Sequence, residues 1–412
     1  MCGIAGMVAR RGSGPPGRAR LDAAIAALRH RGPDGSGAHL DGPCLLGHTR
    51  LSIIDLAGGA QPLGNEDGTV VVSFNGEIWN HVDLRRELEA AGHAFRTRSD
   101  TEVLVHGFEE WGDGLLERLN GMFAFAVWDG RHGRLLLARD RVGKKPLYLV
   151  ETPDGLAFGS DARTALLVGG VEPRIDASLV PQYLFQRYVV SPGTLLAGVR
   201  KLRPGHLATY DGERLVERAW WTPPVAPVEP LGAGELRALL RDAVEKRLMS
   251  DVPLGVLLSG GIDSCGVLGL MREAGARDVA SFTIGFADPV FDERRYARIA
   301  AERNGTEHHE VVVDTGSFLD TLPRLAWARD EPMSEPSEIP LLLLAEFAGQ
   351  HVKVALTGDG GDELFGGYPK YRADRLLRAG GLLAGLGIAA AGRLLALRRS
   401  HRRLGARPRW PG

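Results

Sequence analysis

The sequence predicts an α/β protein of two domains, and three observations carry that reading. The first ~205 residues alternate many short strands with few helices, a Pro-rich run then interrupts the pattern, and beyond it helix and strand alternate regularly. Many strands with few interposed helices imply antiparallel sheets covered by helices. Regular alternation implies a parallel sheet with helices on both faces, its sites at the carboxyl ends of the strands. The length of 412 residues leaves room for two cores, and 44% hydrophobic with 25% charged residues is ordinary for a folded chain.

In chain order, segments 3–9, 45–54, 70–78, 122–128, 135–140, 147–150 and 156–159 read as strands. Helical patterns cover 21–30, 83–91, 101–111 and 162–168, the third opening where Asp100 precedes Glu102 and Val103. The run Trp220-Trp221-Thr222-Pro223-Pro224 to Pro230 lacks either period, so residues 206–232 are expected to be a linker between domains 1–205 and 233–412. The second domain opens with a helix at 235–248, followed by an apolar strand at 252–258, a Ser/Gly turn and another helix. Further strands are expected at 279–286, 310–313 and 352–356.

A formal charge of -1 offers no general field for nucleic acid or an anionic membrane, so neither partner is expected and anionic ligands must meet a local site. Three widely spaced cysteines, Cys2, Cys44 and Cys265, without any C-x-x-C pattern argue against disulfides or a zinc site and for a reducing, cytoplasmic setting. No basic-then-apolar signal opens the chain. The longest apolar stretch, 380–392, is too short and glycine-rich to span a bilayer and is expected to form packed helices.

Three constellations carry chemistry. Met1-Cys2-Gly3-Ile4 places a thiol in second position, where removal of Met1 would leave nucleophile and α-amine base in one residue. Arg50 ends a strand, Asn75-Gly76-Glu77 closes another, and Asp100 opens a helix. Singly these read as a surface ion pair, a turn and a helix cap. With Cys2 they form an amide-hydrolysing set: Asn75 and Gly76 receive the oxyanion, Arg50 a substrate carboxylate and Asp100 its ammonium group. That describes a glutaminase.

The second constellation, Ser259-Gly260-Gly261-Ile262-Asp263-Ser264 between strand and helix, suits a pyrophosphate, with Asp263 available for Mg²⁺. No Walker loop is present, which favours cleavage between the α and β phosphates of a nucleotide. The third, Thr357-Gly358-Asp359-Gly360-Gly361-Asp362-Glu363, offers three carboxylates on a glycine-rich loop after an apolar strand.

These motifs, with Arg31-Gly32-Pro33-Asp34-Gly35 and Phe74-Asn75-Gly76-Glu77, occur in one order from residue 1 to about Tyr371, and in that order the chain resembles the glutamine-dependent asparagine synthetases. That family joins a class II glutamine amidotransferase domain of the αββα N-terminal-nucleophile fold to an ATP-pyrophosphatase-type synthetase domain, so the resemblance implies four layers for the first half. The resemblance implies that Cys2 attacks the glutamine amide, that Asn75 and Gly76 form the oxyanion hole, and that Arg50, Asn75, Gly76, Glu77 and Asp100 bind glutamine. It also implies that ammonia passes through an internal tunnel to a site where MgATP adenylates the aspartate β-carboxylate, and ammonia displaces AMP. By the same resemblance Leu257, Ile284, Thr357 and Gly358 contact ATP, Ser259, Gly260, Gly261, Asp263 and Ser264 its phosphates, and Asp263 and Asp362 hold Mg²⁺. Asp359 is then placed to activate ammonia and Glu363 to bind the acceptor.

Departures accompany the likeness. Asp359 stands where some members have glutamate, and Cys265 where serine is frequent. Members usually continue further, with a lysine that supports adenylation, so the second domain reads as C-terminally truncated. From Lys370 onward eleven Lys and Arg face one acid, Asp374, which reads as a basic helical pair missing its covering surface. The alternatives are an amidotransferase for another carboxylate, a glutaminase with an inactive second domain, and a non-catalytic remnant, against which the full Cys2 set argues. The oligomeric state stays open, a homodimer among the options.

Overall fold

Strands buried on both faces read as near-continuous apolar runs, and such strands build the N-terminal half. The computed structural model describes residues 1–225, 231–332, 335–371, 373–375 and 377–378. In chain order the first half runs β1 (Gly3–Ala9), α1 (Arg18–Ala27), β2 (Gly35–Asp41), β3 (Cys44–Arg50), β4 (Leu63–Gly64), β5 (Val70–Ile78), α2 (His81–Ala90), α3 (Glu102–Trp111) and α4 (Leu115–Arg118). It continues through β6 (Gly121–Asp129), β7 (Arg134–Arg139), β8 (Tyr148–Thr152), β9 (Gly155–Gly159), α5 (Ala162–Gly169), α6 (Val180–Gln186), β10 (Val199–Lys201), β11 (His206–Tyr210) and β12 (Leu215–Ala219).

Two six-stranded antiparallel sheets result, ordered β10-β8-β9-β1-β3-β2 and β12-β11-β7-β6-β5-β4. Their facing sides share a core that includes Ile4, Leu46, Ala124, Trp128, Leu137 and Phe158. Helices α1 and α5 close a second core on the outer side of the first sheet, and α2, α3 and α4 a third on the second sheet. The expected four-layer αββα order is therefore present. Each fully buried Ile, Leu or Phe contributes roughly 1.5–3 kcal/mol by leaving water.

Two expectations need correction. Residues 206–219, read as linker, form β11 and β12, with β11 paired to β7 and β12 to β11. Trp220 belongs with them, stacking on Phe123 and donating from Nε1 to the Arg139 carbonyl at 3.1 Å. The extended signal was overridden by the later prolines, which act only from Pro223 onward; residues 226–230 of the Pro-rich run lie outside the described residues. The strand expected over 45–54 stops at Arg50, because the Arg50 guanidinium donates to the carbonyls of Ile54 at 3.0 Å, Asp55 at 2.6 Å and Leu56 at 3.1 Å and curls the chain.

The second half runs α7 (Ala233–Lys246), β13 (Leu254–Leu257), α8 (Ile262–Glu273), β14 (Ala280–Phe286), α9 (Arg294–Asn304), β15 (Glu307–Val313), α10 (Thr315–Arg329), α11 (Glu338–Ala348), β16 (Val354–Leu356) and α12 (Gly361–Phe365). Its strands form a four-stranded sheet, β15-β14-β13-β16, parallel throughout, with an apolar cluster on each face. The apolar stretch at 380–392 and the basic tail beyond Arg378 lie outside the described residues. No helix among the described residues is long and apolar enough to cross a membrane.

Polar side chains join the halves. Asp34 accepts from Lys353 Nζ at 2.7 Å, and Glu331 Oε1 from Tyr148 at 2.9 Å and Lys201 Nζ at 2.8 Å. Asp330 accepts from the Arg163 backbone N-H at 3.1 Å, and Arg247 stacks 3.7 Å above the Trp79 ring.

Candidate active sites

The sheet packing brings the first constellation into one cavity of about 240 Å³, lined by Cys2, Arg50, Asn75, Gly76, Glu77 and Asp100. The first strand presents Cys2 at its start, and β3, paired antiparallel to it, presents Arg50 beside it. The end of β5 supplies Asn75 to Glu77 from the other sheet. The turn before α3 supplies Asp100, whose Oδ2 accepts from the Ile78 N-H at 2.9 Å and so pins that turn to the strand. Gly76 is required at its position, since a Cβ there would collide with the Met122 carbonyl of β6.

Cys2 Sγ receives the Leu51 N-H at 3.4 Å, and its carbonyl accepts from Arg31 Nε at 3.2 Å, so both its backbone and its sulfur are fixed. Burial pushes the thiol up from its ordinary value. Burial also lowers the neighbouring Met1 amine to about 5, which leaves an amine in this wall neutral at pH 7. A desolvated wall thus favours the neutral thiol and amine over the charged pair. Asn75 is 1% exposed, and neither its Nδ2 nor its Oδ1 has a protein partner. A buried amide left unpaired costs about 1–3 kcal/mol, which a ligand in the cavity would relieve.

Two carboxylates share the cavity. Desolvation raises Asp100 to about 6, and desolvation with the nearby Asp100 raises Glu77. Both await a cation. Lys145, 6% exposed and lowered by desolvation, also lines the wall. It escaped the sequence reading because nothing in Gly143-Lys144-Lys145-Pro146 separates a buried lysine from a solvated pair. Lys353, Val354 and Ala355 of the second domain complete the lining, a contribution that only tertiary packing reveals.

A second cavity of about 420 Å³ opens at the carboxyl ends of β13, β14 and β16. Leu257, Ser259, Gly261, Asp263, Ser264, Ile284, Thr357, Gly358, Asp359 and Asp362 all line it. Ser259 Oγ and Ser264 Oγ lie 3.0 Å apart, and Gly261 starts α8 without any side-chain cap, which leaves its first N-H groups for an anion. Asp263 and Asp362 add hard oxygen donors, a set that fits a magnesium-bound phosphate. Phe286, Phe291, Leu341 and Leu344 also line the cavity and were not foreseen; they carry no polar signature.

Two expected residues stand elsewhere. Gly260 does not line the cavity; its positive φ of 82° lets the loop pass α9. Glu363 is exposed on α12, where its Oε1 accepts from the Tyr368 hydroxyl at 2.7 Å, so the fold does not bring it to the cavity. Asp362 and Glu363 are consecutive on α12, where successive side chains do not share a face.

A four-layer domain with a cysteine at the start of an interior strand, joined to a parallel-sheet domain with a Ser/Gly loop before a helix, is the architecture of a glutamine amidotransferase coupled to a nucleotide-dependent partner domain. The family model for the glutamine amidotransferase domain matches residues 1–221, and that for asparagine synthase residues 235–411. Asparagine synthetase [glutamine-hydrolyzing] 1 of Bacillus subtilis (strain 168) is 40% identical, over 83% of this chain and 55% of its own length. The asparagine synthetases [glutamine-hydrolyzing] of Sandersonia aurantiaca and Zea mays are 34% and 35% identical, each over 89% of this chain and over 67% and 60% of their own. The chain belongs to this family, the glutamine-hydrolysing asparagine synthetases. It spans between 55% and 67% of the length of these relatives.

Proposed function

We propose that this chain hydrolyses glutamine at Cys2 and uses the ammonia to amidate a carboxylate activated by ATP, the acceptor being aspartate and the product asparagine. The observation that carries the reading is the shared wall between the cavities. Strand β16 contributes Val354 and Ala355 to the Cys2 cavity, and Thr357 and Gly358, directly after it, to the other. Ammonia released at one end of this strand has a few residues to travel, and one made beside the activated acid avoids protonation in bulk water.

With Met1 removed, the Cys2 amine takes the thiol proton as sulfur attacks the glutamine amide, and the negative charge falls on an oxygen facing Asn75 Nδ2 and the Gly76 N-H. Arg50 binds the α-carboxylate, while Asp100 and Glu77 bind the α-ammonium group. The amine returns the proton to the leaving ammonia, and a water then cleaves the resulting Cys2 thioester, releasing glutamate and restoring the thiol. In the second cavity Leu257, Ile284 and Gly358 hold the nucleotide, and the α8 start with Ser259 and Ser264 holds its phosphates. Mg²⁺ on Asp263 and Asp362 would offset phosphate charge as pyrophosphate leaves. Asp359, whose Oδ2 accepts from Thr357 Oγ1 at 2.9 Å, faces the same space and suits deprotonation of incoming ammonia. Three free cysteines suit a reducing, cytoplasmic setting, and a homodimer is the assembly to look for by light scattering.

The test is pyrophosphate release from MgATP and aspartate, with either glutamine or ammonium chloride as nitrogen source, by the native chain and by Cys2→Ala. Glutamine-supported release should vanish in Cys2→Ala and ammonium-supported release should persist. Aspartate-independent behaviour of the native chain would reject aspartate as the acceptor, and loss of both activities in a folded variant would reject separate sites.

A further inference from the structure

The connection from α2 to α3 and the first turns of α3 hold a group of side chains that the glutaminase chemistry does not use. His106 and Glu109, one helical turn apart, lie on one face of α3, and His93 reaches them from the α2–α3 connection. One donor atom from each comes within 4.8 Å of the others, and among the described residues no other three His, Cys, Asp or Glu side chains gather this way. None of the three lines the Cys2 cavity.

The surroundings orient these donors as a metal would need. His106 is 1% exposed, with Nδ1 3.3 Å from Glu109 Oε2 and Nε2 3.7 Å from Glu102 Oε1. Glu102 is itself fixed, accepting from the Arg96 N-H at 2.8 Å, the Thr97 N-H at 2.7 Å and Thr97 Oγ1 at 2.6 Å. A histidine backed on its far nitrogen by an immobilised carboxylate is the arrangement that fixes a metal-ligating imidazole. Glu109 has its other oxygen occupied, Oε1 accepting from Asn65 Nδ2 and from Arg131, each at 2.7 Å. That leaves Oε2 for the centre of the group. His93 Nε2 lies 3.3 Å from Glu110 Oε2, which offers a fourth oxygen.

We propose that His93, His106 and Glu109 bind one divalent transition-metal ion of the zinc class, with Glu110 or water as the fourth ligand and Glu102 holding His106. Two imidazoles with a carboxylate suit zinc rather than magnesium. Neighbouring ligands around tetrahedral zinc stand ~3.3 Å apart, so the His106–Glu109 spacing already fits, and His93, on a loop and partly exposed, has to close from a separation that is within 4.8 Å. Without a metal the same residues form two separate contacts, His106 with Glu102 and Glu109, and His93 with Glu110, with the two imidazole rings 5.1 Å apart. Bound metal would tie the connection before Ser99 and Asp100 to the helix that follows them, bracing the rim of the glutamine cavity.

The test is titration of the full chain, carrying Cys2→Ala to remove the competing thiol, with Zn²⁺ followed calorimetrically and with Co²⁺ followed by visible absorption. The expected result is one equivalent bound, a four-coordinate Co²⁺ band and a higher Tm with Zn²⁺. His93→Ala should remove the band and weaken Zn²⁺ at least tenfold, and Glu102→Gln should weaken it by roughly 10–100-fold. Absence of stoichiometric binding, or equal binding by folded His93→Ala, overturns the proposal.

Discussion

Asp100 shows what a binding site costs at the level of one residue. Desolvation raises its carboxyl to about 6 although the Ile78 N-H and Ser99 hydroxyl favour the charged form. An acid raised above its unfolded value of 3.8 stabilises the fold while protonated; that contribution is present below about pH 4 and is lost as the pH rises through 6. At pH 7 the ionised group therefore destabilises the fold by at most about 3 kcal/mol. Asp100→Asn should raise the Tm at pH 7, leave it nearly unchanged at pH 4, and raise the KM for glutamine roughly tenfold or more through loss of the charged partner. A lower Tm at pH 7 would mean that the carboxylate is not the strained group. Asn75 carries a cost of the same kind, an unpaired buried amide, without any titration to reveal it.

At the scale of elements, the legible parts were those whose local pattern agrees with their packing. Strand β5 matches the sequence reading to the residue, its Val70-Val71-Val72 opening being buried, and α3 matches to within one residue because Asp100 followed by Glu102 and Val103 marks its start. The polar edge strand β2, Gly35–Asp41, was invisible because no apolar alternation marks an exposed edge, and β11 and β12 were hidden by the prolines that follow them. The residues of the Cys2 cavity were legible because they stand at or near element ends, Cys2 just before β1, Arg50 closing β3, Asn75 to Glu77 late in β5 and Asp100 just before α3; Lys145, a buried lysine without a local signal, was not. The Ser/Gly loop lines a cavity, as its pattern led one to expect, but one glycine in it serves the packing of the loop instead. Gly260 has φ +82° and backs onto α9, where an added Cβ would stand 2.6 Å from Tyr296 Cβ and 2.8 Å from Ala297 N. Gly260→Ala should therefore cost about 1–3 kcal/mol in chemical denaturation and raise the KM for ATP, while glutamine hydrolysis stays intact. Unchanged ATP dependence would place the phosphates away from this loop.

For the whole molecule, the informative feature is that the Cys2 cavity is finished by the other domain. Lys353 lines it and reaches back to Asp34, a residue of the Arg31-Gly32-Pro33-Asp34-Gly35 motif whose purpose was not evident from sequence. Exposed ion pairs are each worth about 0–1 kcal/mol, so no single one holds the halves together. Glu331 differs in joining two first-domain groups, Tyr148 and Lys201, from a side chain that is 11% exposed. It touches neither cavity. If the shared β16 wall carries ammonia, loosening this contact should leave both chemistries intact and spoil only the transfer. Glu331→Ala is therefore expected to hydrolyse glutamine and to release pyrophosphate with ammonium chloride within about twofold of the native chain, each step depending on its own cavity. Glutamine hydrolysed per pyrophosphate released should rise several-fold, and salt near 1 M should move the native ratio the same way by screening the ionic contacts. A ratio unmoved by both would assign alignment of the domains to the Arg247–Trp79 stack and the apolar contacts, which salt does not weaken.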